Sequence, residues 1–141
     1  MSTTASLTLA TRTLEAFNTA DWETFRALCH DDVVYTEAGT GRRIEGIEPY
    51  LEALRDWKVA LPDVHGTVRR AVADGDLAVQ DVVWTGTHQG PLPTPDGPIP
   101  ATGVEATIVA TLWITTRDGK VSEVTHHLDV LSLLGQIGAL G

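Results

Sequence analysis

Residues 104–130 have the sequence VEATIVATLWITTRDGKVSEVTHHLDV. The β-branched residues of Val104–Thr116 alternate with other residue types, and this pattern predicts a long strand. Asp118-Gly119 is a strong hairpin signal, and it predicts that a closing strand follows over Val121–Val130. We therefore expect two long antiparallel strands near the end of the chain.

The segments upstream of this hairpin extend the prediction to a whole sheet. Val64–Ala73 and Leu77–His88 also show a two-residue period, and the turn Asp74–Asp76 separates them. A proline-rich loop over Gly90–Pro100 then leads into the hairpin. Because the earlier part of the chain has helical periodicity, this order predicts an α+β fold. We expect N-terminal helices to pack on one face of a curved, mainly antiparallel sheet, in a single domain spanning residues 1–141.

Three helices and one short strand are predicted before residue 62. Apolar residues between positions 7 and 17 share one helical face, and Asp21 has the character of an N-cap for a second, short helix. Val33–Tyr35 is predicted as a brief strand, and the glycines within 39–46 indicate a loop. Pro49 suits the first turn of a third helix. Helices covering one side of a curved sheet leave a cone whose mouth can admit a small hydrophobic ligand.

Composition excludes several classes of function. The 141 residues are 43% hydrophobic and carry a formal net charge of -9. Nucleic acids and anionic membrane surfaces attract clustered positive charge, and the ten basic residues are scattered. The lone Cys29 cannot form an intramolecular disulfide, and the N-terminus has no secretion signal pattern. We therefore predict a cytoplasmic protein that binds neither nucleic acid nor membrane.

Asp129 is the first candidate for chemistry. On the closing strand it follows Leu128 and precedes Val130 and Leu131, so its carboxyl group is expected among apolar side chains. A buried acid of this kind is costly unless it is paired or neutral, and such acids serve as general acids or bases. The alternative is that Asp129 caps a terminal helix that begins at Val130.

Histidines provide the second set of candidates. His126 and His127 are adjacent on a strand and point to opposite faces, so they cannot chelate one metal ion, and no metal site is predicted. One of them is expected to face solvent or a subunit interface. His88, in the run Gly86–Gly90, has the chemistry to donate a hydrogen bond to a substrate carbonyl or enolate. It is equally compatible with a histidine satisfied by the proline-rich loop.

Glu37 and the aromatic residues complete the candidate site. Glu37 follows the first predicted strand and is either a second candidate base or a solvated loop residue. The aromatic side chains are either ordinary core or the wall of a pocket for a flat ring system. They are Phe17, Tyr35, Trp57, Trp84 and Trp113.

Four stretches carry a resemblance to a known family: Leu61–Asp63, Gly86–Gly90, Ala101–Gly103 and 119–138. Together they resemble the SnoaL-like polyketide cyclases of the NTF2-like superfamily. The resemblance implies a cone fold, a homodimer or homotetramer, and no metal or organic cofactor. It also implies aromatic ring closure by an intramolecular aldol reaction, with an acid in the closing strand, matched by Asp129, moving the protons.

The resemblance leaves several functions open. The penultimate strand presents Thr111, Trp113 and Thr115 where these cyclases carry polar partners, so the substrate is not implied. The leading prediction is a cofactor-independent cyclase or isomerase that uses Asp129 as base, with His88 and His127 polarising the carbonyl. The alternatives are a ketosteroid-isomerase-like enzyme with Glu37 as base, a hydroxylase, and a non-catalytic ligand-binding module. An epoxide hydrolase is disfavoured because the closing strand has no arginine.

Overall fold

The computed structural model describes residues 2–140, which form four helices and six strands. No helix in this range is long and apolar enough to cross a membrane. The helices are α1 (Thr3–Asn18), α2 (Trp22–Leu28), α3 (Ile47–Ala60) and α4 (Val130–Gln136). The strands are β1 (Cys29–Glu37), β2 (Arg42–Glu45), β3 (His65–Asp74), β4 (Leu77–Thr87), β5 (Glu105–Arg117) and β6 (Lys120–Leu128).

The six strands form one sheet in the order β2-β1-β6-β5-β4-β3. Neighbours pair antiparallel throughout, except that β1 and β6 run parallel. The predicted α+β architecture with a mainly antiparallel sheet is therefore confirmed. The parallel pair places β1, the first strand in the chain, beside β6, the last strand in the chain. Glu37 therefore lies opposite His126 in the register.

Helices cover only one face of the sheet. Helix α1 packs against β3 and β4, and α3 packs against β1. The covered face supplies the hydrophobic core, in which Val33, Leu51 and Val82 are fully buried. The other face remains uncovered, and Trp113 projects from it with 44% of its surface exposed. The expectation that Trp113 lines a pocket is wrong because odd-numbered residues of β5 point away from the helices.

The structure corrects two predicted segments. The predicted glycine loop contains a short strand, β2, which pairs antiparallel with the end of β1. Strand β1 itself is nine residues long and ends at Glu37, so this residue belongs to the sheet. The first half of β1 was not predicted because it contains the polar pair Asp31-Asp32. These residues are exposed and lie beside an irregularity in the β1–β6 pairing.

Candidate functional site

A cavity lies between the helices and the covered face of the sheet. Its volume is about 90 Å³, several times what one water molecule needs. The wall is almost entirely aromatic and aliphatic, and the polar side chains that interrupt it are few. The wall includes Phe17, Tyr35, Tyr50, Trp57, Gln80, Trp84, Leu112 and His126.

A chain of hydrogen bonds begins at the cavity wall and ends on a buried carboxylate. The Trp84 indole Nε1 lies 3.2 Å from His126 Nε2, and His126 Nδ1 lies 2.8 Å from the Tyr35 hydroxyl. The Tyr35 hydroxyl donates to Glu37 Oε2 at 2.6 Å. Thr40 donates to the other carboxylate oxygen at 2.9 Å. Three strands and one turn thus contribute to a single polar network in an apolar setting.

The direction of every hydrogen bond in this network is fixed because the indole at one end can only donate and the carboxylate at the other end can only accept. An indole N–H can only donate, so His126 Nε2 must accept, and the imidazole proton is on Nδ1. That proton is donated to the Tyr35 oxygen, whose own hydrogen is donated to Glu37. The neutral Nδ1–H tautomer of His126 is therefore the form that satisfies all of its neighbours.

The Glu37 carboxylate is buried by the turn that follows β1. Only 2% of the residue surface is exposed. A Cβ at Gly39 would lie 2.9 Å from the Leu128 carbonyl oxygen, so glycine allows the turn to lie against the end of β6. The Ala38 amide donates to the His126 carbonyl at 2.9 Å and fixes this approach. A charge removed from water requires compensating hydrogen bonds, and the two hydroxyl donors supply them.

Burial controls the protonation of the other groups that line the cavity. Burial lowers the pKa of His126 to about 4, although the Glu37 charge opposes the shift, so the imidazole is neutral at pH 7. Burial, and then the adjacent Glu37 charge, raise the pKa of Tyr35 well above its ordinary value. Burial also raises the pKa of Cys29 to about 12, which leaves no thiolate nucleophile at this position.

The position of the Trp84 indole depends on a glycine in the neighbouring strand. Gly66 pairs with Trp84, and a Cβ at residue 66 would lie 2.5 Å from Trp84 Cζ3. The Asn18 side chain holds Gly66 by two hydrogen bonds of 2.9 Å, one to its amide and one to its carbonyl. Phe17 packs edge-on against the indole with 5.4 Å between ring centroids. These contacts direct the Trp84 N–H towards His126.

A family model described as SnoaL-like polyketide cyclase matches residues 7–137. The chain belongs to this family. No curated protein matches the sequence.

Solved structures extend the comparison for this SnoaL-like protein. IdmH from Streptomyces antibioticus, a proposed polyketide cyclase, is 28% identical, with 94% of this chain and 98% of that chain covered and a TM-score of 0.80. A proposed ketosteroid isomerase from Kribbella flavida is also 28% identical, with 89% and 78% covered and a TM-score of 0.70. A proposed SnoaL-like polyketide cyclase from Jannaschia is 20% identical, with 99% and 95% covered and a TM-score of 0.88, a likeness of fold.

The structure brings most of the predicted aromatic residues of this SnoaL-like chain together. Phe17, Tyr35, Trp57 and Trp84 all contribute to the cavity wall. Glu37 is buried and accepts a hydrogen bond from the Tyr35 hydroxyl, so it is not a solvated loop residue.

Asp129 and His127 do not point into the cavity, contrary to the expectation from the sequence. Both are exposed, and they line an open groove on the uncovered face of the sheet. Asp129 is the N-cap of α4, with its side chain accepting a hydrogen bond from the Ser132 amide at 3.0 Å. The apolar neighbours that suggested burial belong to the alternate face of β6 and to α4 itself. The helix-cap interpretation of Asp129 therefore describes its contacts.

His88 is buried but is not part of the cavity wall. Only 1% of its surface is exposed, and its Nδ1 lies 2.9 Å from the Thr102 hydroxyl. Its backbone is bonded to Gly103 and Val104, where the chain returns from the proline-rich loop to β5. Thr102 follows the proline-rich loop, so the position agrees with the alternative interpretation, but His88 is only partly satisfied there because its buried Nε2 has no hydrogen-bond partner in residues 2–140.

Sequence reasoning missed two residues of the site, His126 and Gln80. Strand alternation separates His126 from His127 correctly, and His126 shares its face with Val124 and Leu128. A histidine on the apolar face of a strand was thus the available signal. Gln80 gives the same signal on β4, because this polar residue shares a buried face with apolar residues. In residues 2–140, no group of three histidine, cysteine or acidic side chains is placed to hold a metal ion.

We expect Gly66→Ala to displace the Trp84 indole and to lower the free energy of unfolding by about 1–3 kcal/mol, because the added methyl overpacks the strand pair. Denaturant unfolding measures the loss. In a Trp84→Leu background the clash is absent, so the same substitution should cost much less. Equal losses in the two backgrounds would show that the indole contact is not the cause.

Proposed function

We propose that this protein is an acid–base enzyme that removes a proton from the carbon next to a carbonyl group in a small hydrophobic compound. The observation that carries the proposal is the directed hydrogen-bond chain from Trp84 through His126 and Tyr35 to the buried Glu37. Its cavity end is apolar, and its far end is a carboxylate that can accept a proton. The base is therefore assigned to Glu37, acting through His126 and Tyr35, and not to Asp129.

The Trp84–His126 hydrogen bond marks the position of the reacting group. A bound carbonyl compound would insert between the two side chains, which lie 3.2 Å apart without ligand. The indole N–H would then donate to the carbonyl oxygen, and His126 Nε2 would face the acidic C–H bond. As the proton leaves carbon, negative charge develops on the oxygen, where the indole donor stabilises it.

The chain of hydrogen bonds explains how a weakly basic histidine can act at neutral pH. The pKa of His126 is lowered to about 4, so an imidazolium ion is unfavourable in the cavity. As Nε2 gains the proton from carbon, Nδ1 passes its proton to Tyr35, and Tyr35 passes its own to Glu37. The result is a neutral histidine, a neutral tyrosine and a protonated Glu37. Reversal of the relay returns a proton to the product.

The relatives support this class of reaction. The family name and IdmH point to ring closure of polyketides, and the Kribbella flavida protein points to ketosteroid isomerisation. Both reactions begin with removal of a proton next to a carbonyl, and they differ in where the proton is returned. We propose a cyclase or isomerase of this type, acting in the cytoplasm as a homo-oligomer.

A test of the base is hydrogen–deuterium exchange of α-tetralone, a flat ketone, followed by NMR in D2O. We expect Glu37→Gln to slow the enzyme-catalysed exchange by about 10²-fold or more, because the relay loses its terminal acceptor. Asp129→Asn is the matched control and should leave the rate unchanged. The opposite pattern, with loss only in Asp129→Asn, would return the base to residue 129 and refute the relay.

A hydrophobic ligand-binding module is the second candidate. It is favoured by the fact that Trp84, Tyr35 and the Glu37 carboxylate all have hydrogen-bond partners without a ligand. A stable, satisfied network does not require catalysis. Binding of α-tetralone without any enzyme-dependent exchange would support the module and contradict the enzyme.

A further inference from the structure

Gln80 contributes a polar group to the cavity wall away from the Trp84–His126 hydrogen bond. The residue is 1% exposed, and its backbone pairs with Leu112, which pairs in turn with His126. Gln80 and His126 therefore occupy one row of the sheet with one strand between them. Two inter-strand spacings separate their backbones by about 10 Å.

The side-chain amide oxygen of Gln80, Oε1, is buried and accepts no hydrogen bond in residues 2–140. A buried acceptor left without a donor is unfavourable, and such atoms are rare in folded proteins. The adjoining cavity wall on β5 is apolar at Leu112, which pairs with Gln80, and at Ile114. An apolar side chain would suit this position better if packing were its only purpose.

We propose that Gln80 is a specificity-determining residue that accepts a hydrogen bond from a hydroxyl group of the ligand. The terminal amide torsion of glutamine is broad, so the oxygen can turn towards a ligand in the cavity at little cost. The inference rests on the proposed function for the other end of the ligand, where the carbonyl meets Trp84 and His126. The substrate class is then a flat, largely apolar ring compound with a carbonyl group and a hydroxyl group on opposite sides.

Phenol and toluene form a matched pair of probes, because they differ by a hydroxyl in place of a methyl group. We expect the wild-type protein to prefer phenol over toluene, measured by calorimetric titration of both. In Gln80→Met, which keeps the length of the side chain and removes the amide, this preference should fall by about tenfold. The melting temperature of the variant should rise, because the unpaired buried acceptor is gone.

Gln89, an exposed glutamine just beyond the end of β4, provides a matched control. Gln89→Met should change neither the preference nor the melting temperature. A second measurement uses the wild-type protein alone: the side-chain amide resonances of Gln80 should shift in NMR spectra on addition of phenol and not of toluene. This keeps the proposal testable if Gln80→Met fails to fold.

An unchanged preference in Gln80→Met, or amide resonances that do not respond to phenol, would overturn the proposal. The result is independent of turnover, because neither probe has a proton next to a carbonyl group. If the phenol experiments fail while Glu37→Gln still abolishes exchange, the proposed function survives without the Gln80 contact. If exchange is unaffected but the phenol preference is lost in Gln80→Met, only the catalytic relay is refuted.

Discussion

Tyr35→Phe is expected to abolish the relay and to destabilise the fold at the same time. The Tyr35 hydroxyl is hydrogen-bonded to both His126 and Glu37. Without its oxygen, no hydrogen-bonded path connects the histidine to the carboxylate. The exchange rate of α-tetralone should fall by about 10²-fold or more, because His126 alone is a weak base. Its pKa of about 4 makes uptake of the substrate proton unfavourable.

The loss of stability has a separate physical cause. The hydroxyl donates to a buried carboxylate at 2.6 Å, and hydrogen bonds to charged groups contribute about 1.5–3 kcal/mol. We expect the free energy of unfolding at pH 7 to fall by about this amount, measured with denaturant. The change is larger than for most hydroxyl deletions because phenylalanine leaves the Glu37 charge with the Thr40 hydroxyl as its one side-chain donor among residues 2–140.

Tyr50 supplies the control for this experiment. Its ring stacks on that of Tyr35 with 4.9 Å between centroids, and it lines the same cavity. Tyr50→Phe removes a hydroxyl from the stack without breaking the path from His126 to Glu37. If both variants lose the same activity, the hydroxyl of Tyr35 has no special role and the relay is wrong.

The pH dependence of stability gives the second large expected effect. The pKa of His126 is about 4 in the folded protein, against 6.5 for an unperturbed histidine. The unfolded chain therefore binds a proton between these values while the folded protein does not. Stability from the neutral histidine is fully present above pH 6.5 and is lost as the pH falls towards 4. The loss amounts to about 3 kcal/mol, since one pKa unit corresponds to 1.36 kcal/mol.

The variant His126→Gln isolates this effect. Glutamine can donate and accept hydrogen bonds but does not titrate, so the drop in unfolding free energy between pH 7 and pH 4 should be about 3 kcal/mol smaller than in the wild type. His127→Gln is the matched control, because His127 is the exposed neighbour on the same strand. An equal change in slope for the two variants would contradict a buried, neutral His126.

The sequence predicted the fold better than it predicted the site. Strand alternation and hairpin signals are local, and they identified β3 to β6 to within about two residues. Alternation also separated His126 from Asp129, but it does not say which of two faces meets the helices. The apolar residues around Asp129 suggested the wrong face, because they include the start of α4, whose N-cap this acid provides.

The burial of Glu37 shows which part of the site was inaccessible to sequence reasoning. The burial of Glu37 depends on a turn that packs against a strand about ninety residues later, through the close approach at Gly39. No pattern near residue 37 contains that information. The aromatic wall was easier to predict, since large apolar residues on strands and amphipathic helices usually face the core.

The parallel pairing of β1 with β6 also has a consequence for how the protein is assembled. Strands β1 and β6, the first and last in the chain, meet only after the intervening chain has been ordered. Contacts so distant in sequence form slowly. During synthesis Glu37 emerges from the ribosome long before His126, and it stays hydrated until the final strand arrives. The dehydration of this carboxylate therefore belongs to a late folding step, and a nascent chain that stops before β6 lacks the groups needed for proton transfer.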